Sequence, residues 1–194
     1  MNTQKIAVIA VFTAISIALV ISPAKIPFPL LPFLKYQIWE IPIVAAFLLY
    51  GPSVGFSISI MNTLVLLIVY PGDLPTGPLY NLAALASTLI GIYIIQRFAN
   101  RFIKHQLITV VLSTALGSIL RVGVMTVVNW VFLPFPFPIG YNLPAEAVVP
   151  LLPIIGLFNA TLVFYTIPIG YAISRAVGLS TNTLRWNVKG TPVK

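Results

Sequence analysis

The run from Gln106 to Phe132 is apolar along almost its whole length, yet it carries one permanent cation, Arg121, and one carboxamide, Asn129. A helix over this run, rising 1.5 Å per residue, is long enough to cross the roughly 30 Å hydrocarbon core of a bilayer. A guanidinium in such a segment restricts the fold severely. Ionisable side chains at mid-bilayer cost about 2.5–3.5 kcal/mol on insertion scales, and they face a bundle interior or a water-filled cavity. Residues four apart stack on one helical face, so Arg121, Met125 and Asn129 form one inward stripe with Thr126 beside it. Val122, Val124 and Val128 are left for lipid or packed neighbours. Two readings of Arg121 follow: a structural side chain bonded to backbone carbonyls, or the wall of a pocket or its direct support.

The remainder of the chain has the same character. With 59% hydrophobic and 7% charged residues, and a mean hydropathy of +1.02, 194 residues hold too little polar surface to coat a soluble domain. The expectation is an all-α integral membrane protein with six transmembrane helices. They run over about Lys5–Ser22, Ile38–Tyr50, Pro52–Tyr70, Leu79–Gln96, Gln106–Phe132 and Val149–Ser174. Residues 1–178 then form a single substrate-binding domain, followed by a basic cytoplasmic tail over 179–194.

The formal charge of +8 does not point to nucleic acid, because the eleven basic residues form no single patch with interleaved aromatics. Lys5, Arg97, Arg101, Lys104, Arg175, Arg185, Lys189 and Lys194 fall at segment ends on one side, whereas Glu40, Asp73 and Glu146 fall on the other. The excess of Lys and Arg marks the first side, with both termini, as cytoplasmic. His105, beside Lys104, reads as a solvated surface residue. Cysteine is absent, which excludes disulfides and thiolate sites. The first apolar segment ends in a proline-rich stretch rather than a small-residue cleavage site, so it reads as a spanning helix.

The breaks between segments are informative. Pro23, Pro27, Pro29 and Pro32 deny the backbone donors a helix needs, so residues 23–37 read as an ordered apolar loop. Phe28, Leu30, Leu31, Phe33 and Leu34 would make an adhesive patch if exposed, and a lid folded over the bundle between helices 1 and 2 removes it. Pro71 to Pro78 reads as an external loop. Pro134 to Tyr141 alternates proline with aromatics, favouring a stiff extended rim. Ala10, Ala14 and Ala18 on the first helix form a small-residue ridge suited to close helix approach, either within the bundle or with another protein.

Catalytic machinery is not visible. The three acidic residues lie in separate regions, one histidine is present, and no nucleophile elbow, Walker A or zinc-protease motif occurs. No metal site or cofactor is expected. The buried polar set is instead Asn62, Arg121, Thr126, Asn129, Asn159 and Thr161, most of it in the outer half of the fifth and sixth helices. Tyr80 and Asn81 lie at matching depth on the fourth, and Tyr36 and Trp39 add aromatic faces. Such a set suits a neutral or weakly charged planar ligand rich in donors and acceptors, entering from outside. A vitamin fits.

Several motifs resemble those of the S components of energy-coupling factor (ECF) transporters, most closely the riboflavin-specific RibU type. Ala10-x-x-x-Ala14 resembles the coupling motif of that family. Phe33-Leu-Lys35-Tyr36 followed by Glu40-Ile-Pro42 resembles its loop between helices 1 and 2, and Tyr50-Gly-Pro-Ser-Val-Gly55 a turn after it. Thr76-Gly-Pro78, Arg121 to Asn129, and Phe158-Asn159 match further. The chain differs in having Leu162 where RibU proteins place a lysine, and Ala84 where they place an asparagine.

The resemblance implies a substrate-binding subunit that takes riboflavin at the external face of the plasma membrane and does not itself hydrolyse ATP. It implies partnership with a transmembrane coupling subunit and ABC-type ATPases, and toppling of the subunit in the membrane. The implied substrate contacts are Lys35, Tyr36, Trp39, Glu40, Asn62, Tyr80, Asn81, Arg121, Met125, Thr126, Asn129 and Asn159, with Ala10 and Ala14 as the coupling ridge. An S component for another vitamin or precursor, and a non-transport membrane scaffold, remain the alternatives.

Overall fold

The computed structural model describes residues 3–69, 74–102 and 105–181. In chain order it contains α1 (Thr3–Ile21), β1 (Ile26–Phe28), β2 (Leu31–Tyr36), α2 (Glu40–Tyr50), α3 (Pro52–Val69), α4 (Gly77–Phe102), α5 (Gln106–Phe132) and α6 (Ala145–Thr181). Five of the helices are long and apolar enough to cross a bilayer. The other, α2, has 11 residues. At 1.5 Å per residue it is only about 16 Å long, well short of the hydrocarbon thickness. Asp73, Lys104, Arg185, Lys189, Lys194, most of the expected 179–194 tail and the first part of the loop from Pro71 lie outside the described residues, as does the Arg101 side chain.

The short helix is the centre of the molecule. Apart from Pro42 and Tyr50, every residue of α2 is buried, and the helix packs chiefly against α6 and α3 and less extensively against α1. A helix that is apolar on all sides can be stable only when enclosed in this way. Its neighbours come close because they lack side chains at the contact. A Cβ on Gly170 of α6 would lie 2.7 Å from Val44, and one on Gly55 of α3 would lie 2.6 Å from Phe47.

Two sets of contacts define the ends of the bundle. At one end, Lys5 Nζ donates to Ser53 Oγ at 2.8 Å, joining the start of α1 to the start of α3. At the other, the Thr76 hydroxyl donates to the carbonyls of Pro138 and Ile139 at 2.9 and 3.0 Å, holding the connection between α5 and α6 against the start of α4.

The proline-rich segment departs from the all-α expectation. It is an antiparallel two-stranded ribbon that pairs Ile26 with Tyr36 and Pro27 with Lys35, with an irregularity between Pro27 and Phe28. Proline is compatible with such a ribbon because both strands are edges, and their outward-facing groups need no ladder partner. Phe28 anchors the ribbon on the bundle, its ring 5.4 Å from Phe158 of α6 and 5.7 Å from Tyr36.

The last helix also departs from expectation, running from Ala145 to Thr181 and accommodating Pro150, Pro153 and Pro168 rather than starting near the first of them and stopping at Ser174. Neighbouring helices and local adjustments satisfy the carbonyls that such prolines free in membrane helices. Leu179 and Ser180 are accordingly helical rather than part of a tail.

Candidate ligand-binding site

Arg121 decides the geometry. Only 3% exposed, it donates from Nη1 to Glu40 Oε2 at 2.6 Å and from Nη2 to Glu40 Oε1 at 2.8 Å, while Nε donates to Asn159 Oδ1 at 3.0 Å. The paired fork gives this charge-assisted contact both strength and a fixed orientation. α2, α5 and α6 thus meet in a single polar joint. Asn159 is fixed further by donating from Nδ2 to the carbonyl of Ile155 at 2.9 Å, as Asn129 does to that of Met125 at 2.6 Å.

This joint corrects the assignment of Glu40 to an external group of acidic residues. Glu40 is 3% exposed and is the first residue of α2. An unpaired guanidinium at this depth would be very costly, and the carboxylate neutralises it where backbone carbonyls alone would not. The joint therefore presents polar edges without net charge.

Above it lies a cavity of about 240 Å³. Nine of the residues expected at a site border it: Lys35, Trp39, Glu40, Tyr80, Asn81, Arg121, Met125, Asn129 and Asn159. The α5 stripe of Arg121, Met125 and Asn129 forms one wall, with Tyr80 and Asn81 of α4 on its flank. The ribbon supplies the rim through Phe33, Leu34 and Lys35, with Lys25 just ahead of its first strand.

Three expected residues lie elsewhere. Tyr36 sits between ribbon and bundle, its ring 5.1 Å from Phe158 and its hydroxyl 2.8 Å from Thr161 Oγ1. Because the Thr161 hydroxyl donates to the carbonyl of Phe158 at 2.8 Å, Tyr36 is the donor in that pair. Tyr36 thus backs the wall that Phe158 presents. Asn62 is buried in α3, one turn from the cavity residue Leu66, and Thr126 is half-buried beside the stripe. Tyr80 borders the cavity with its hydroxyl already engaged, donating to the Ile139 carbonyl at 3.0 Å.

Sequence reading missed Gln37, Leu66, Phe158 and Leu162 as cavity residues. The helical repeat carried a signal for two of them, since Leu162 follows Asn159 by three on the same face and Phe158 precedes Leu162 by four. Gln37 carried none, because its position depends on how the ribbon meets α2.

No family model matches the chain. The riboflavin transporter RibU of Staphylococcus aureus (strain TCH60) is 31% identical over 121 residues, an alignment spanning 61% of this chain and 61% of that protein. A solved S component of a bacterial ECF transporter superposes with a TM-score of 0.70 at 24% identity, covering 95% of this chain and 99% of the other. The chain has the S-component fold. Its resemblance to RibU, carried in the sequence by motifs such as Arg121 to Asn129, extends to an alignment over more than half the chain. The S-component fold here encloses the cavity between α2, α4, α5, α6 and the ribbon.

Proposed function

We propose that this chain is the substrate-binding subunit of an ECF-type vitamin uptake transporter, and that riboflavin or a related flavin is its ligand. The observation that carries this reading is the cavity itself: aromatic and apolar walls around the amides of Asn129 and Asn159 and the mutually neutralised pair of Glu40 and Arg121. This is the chemistry a planar, neutral heterocycle with donors and acceptors requires. The similarity to a riboflavin transporter points the same way.

At about 240 Å³ the cavity is smaller than the roughly 300–1,000 Å³ usual for organic ligands. In this proposal the ribbon acts as the lid, and its rim residues Phe33, Leu34 and Lys35 move outward to admit the vitamin. The subunit is a multi-pass protein of the plasma membrane with cytoplasmic termini and an externally opening cavity, and it is not an enzyme. Transport requires a transmembrane coupling subunit and ABC-type ATPases. Ala10 and Ala14 support that docking role, since both are exposed while Ile9, Thr13, Ser16 and Val20 turn into the bundle.

A second reading, an S component for a different vitamin, is favoured by one observation. Leu162 puts an apolar side chain in the cavity wall where the RibU pattern places a lysine. Riboflavin titration of the purified protein in detergent separates the two readings. Near one-to-one quenching of flavin fluorescence, with Trp39 and Tyr80 as the aromatic neighbours, is the expected result. No quenching at micromolar protein overturns the flavin assignment.

A further inference from the structure

The connection between α5 and α6 shows an apolar surface that the bundle does not cover. No charged residue occurs from Val122 to Ala145. Where this run leaves α5, Trp130 is 56% exposed and Phe137 68%, and Phe132, Phe135 and Ile139 are exposed with them. In water such a patch would be adhesive, and patches of this kind mark a surface that something covers.

The position of the patch identifies the cover. The connection is not the stiff extended rim that its alternating prolines and aromatics suggest, because it turns back on the helix ends. The N–H groups of Tyr141 and Leu143 both donate to the Leu133 carbonyl, at 3.1 and 3.3 Å, and that of Asn142 donates to the Phe135 carbonyl at 2.9 Å. From α4, the Tyr80 hydroxyl donates to the Ile139 carbonyl at 3.0 Å. Tyr80 lies one turn inside the stretch Gly77–Ala99 that is long and apolar enough to cross a bilayer, and Phe132 ends the corresponding stretch of α5. The exposed aromatics are therefore level with the ends of two spans, where hydrocarbon gives way to headgroups.

The backbone suits that layer. Irregular chain is costly against lipid because its polar groups go unpaired. Here Pro134, Pro136 and Pro138 carry no N–H at all. Phe135, Ile139, Gly140, Tyr141, Asn142 and Leu143 donate theirs to carbonyls of the connection or of the end of α5, which leaves only the N–H of Phe137 outside this set. Aromatic side chains at this level are also those that membrane interfaces favour.

We propose that the connection between α5 and α6 is an interfacial anchor whose partner is the lipid bilayer. Trp130, Phe135 and Phe137 sink into the boundary between headgroups and acyl chains, in the leaflet on the side of the cavity mouth. Leu133 and Tyr141, at either end of the connection, both border the cavity. The anchor thus also holds the mouth at the membrane surface, whatever ligand the cavity takes.

The chain contains no cysteine, so a nitroxide label can be placed at single positions without other changes. Phe137→Cys is compared in lipid nanodiscs with Ile119→Cys, at an exposed position within the α5 span, and with His105→Cys, at the exposed link between α4 and α5. Each label is read for access to oxygen, which is apolar and partitions into lipid, and to a water-soluble nickel chelate. The expected result at Phe137 is access to oxygen approaching that at Ile119, with a severalfold loss of access to the chelate relative to His105. Chelate access equal to that at His105 overturns the proposal, because the patch then faces water. Low access to both reagents overturns it as well, because protein then covers the patch, whether a second copy or another part of this chain. A label at Phe135→Cys repeats the measurement, and disagreement between the two positions also counts against an anchor that needs both rings in lipid.

Discussion

Glu40 and Arg121 lie 81 residues apart in the chain and meet through two hydrogen bonds of 2.6 and 2.8 Å in the interior of the bundle. The pair joins the shortest of the described helices to α5, whose Arg121, Met125 and Asn129 form one wall of the cavity, and Asn159 extends it to a third. Removing one member is therefore different from removing both. Glu40→Ala leaves a buried guanidinium without its counterion and should cost about 3–5 kcal/mol. The double replacement Glu40→Leu with Arg121→Met restores an uncharged interior and should recover most of that loss, because buried ion pairs exchanged for apolar groups of similar volume are often neutral in stability. Riboflavin binding should not recover, since Asn159 no longer has the donor that orients it. Thermal unfolding and fluorescence titration on the three proteins check this. A double variant less stable than Glu40→Ala would show that the pair is not the source of the penalty.

Asn129 and Asn159 should separate binding from stability. Both are expected to contact ligand, so alanine at either weakens riboflavin binding by about 1–3 kcal/mol. Asn159→Ala additionally leaves Arg121 Nε without its acceptor and lowers the melting temperature. Asn129→Ala forfeits only a bond to a carbonyl of its own helix, so its ligand-free stability stays closer to wild type. Wild-type affinity in both variants would place the ligand elsewhere.

Tyr36 holds the ribbon without bordering the cavity. Tyr36→Phe keeps the ring against Phe158 and removes the hydrogen bond to Thr161, which should cost about 0.5–1.5 kcal/mol of stability. If the ribbon is the lid, looser anchoring should speed riboflavin association and dissociation more than it changes their ratio. Stopped-flow fluorescence reads both rates, and rates identical to wild type would show that this bond does not restrain the rim.

How much of this was legible follows from where the signals lie. The α5 stripe was readable because Arg121, Met125 and Asn129 share a helical repeat, and one charge in an apolar run has few places to go. The partner of Arg121 was not readable. Glu40 follows a proline-rich segment and begins a helix too short to span, so in sequence it looks like a surface residue marking one side of the membrane. The ribbon was hidden for a related reason: Pro27, Pro29 and Pro32 argue against regular structure, yet two edge strands tolerate Pro27 and Pro32, and Pro29 falls in the turn between them. Gln37 depends on both of these elements, and no local pattern reveals the relation between them.

The proposed coupling role of the alanine ridge on α1 can be separated sharply from ligand binding. Ala10 and Ala14 are exposed on α1, and the bundle-facing residues of that helix are Ile9, Thr13, Ser16 and Val20. Small side chains on an outward face permit another helix to approach closely, as at interfaces between membrane helices generally. Replacing both alanines with tryptophan should block such an approach by bulk, while the cavity on the other side of the joint keeps its walls. Riboflavin affinity of the isolated double variant should match wild type, and uptake by cells that also express the coupling and ATPase subunits should be lost. Had the ridge packed inside the bundle, the same substitutions would cost about 1–3 kcal/mol and damage binding and melting temperature together. Uptake equal to wild type would show that Ala10 and Ala14 are not the docking surface.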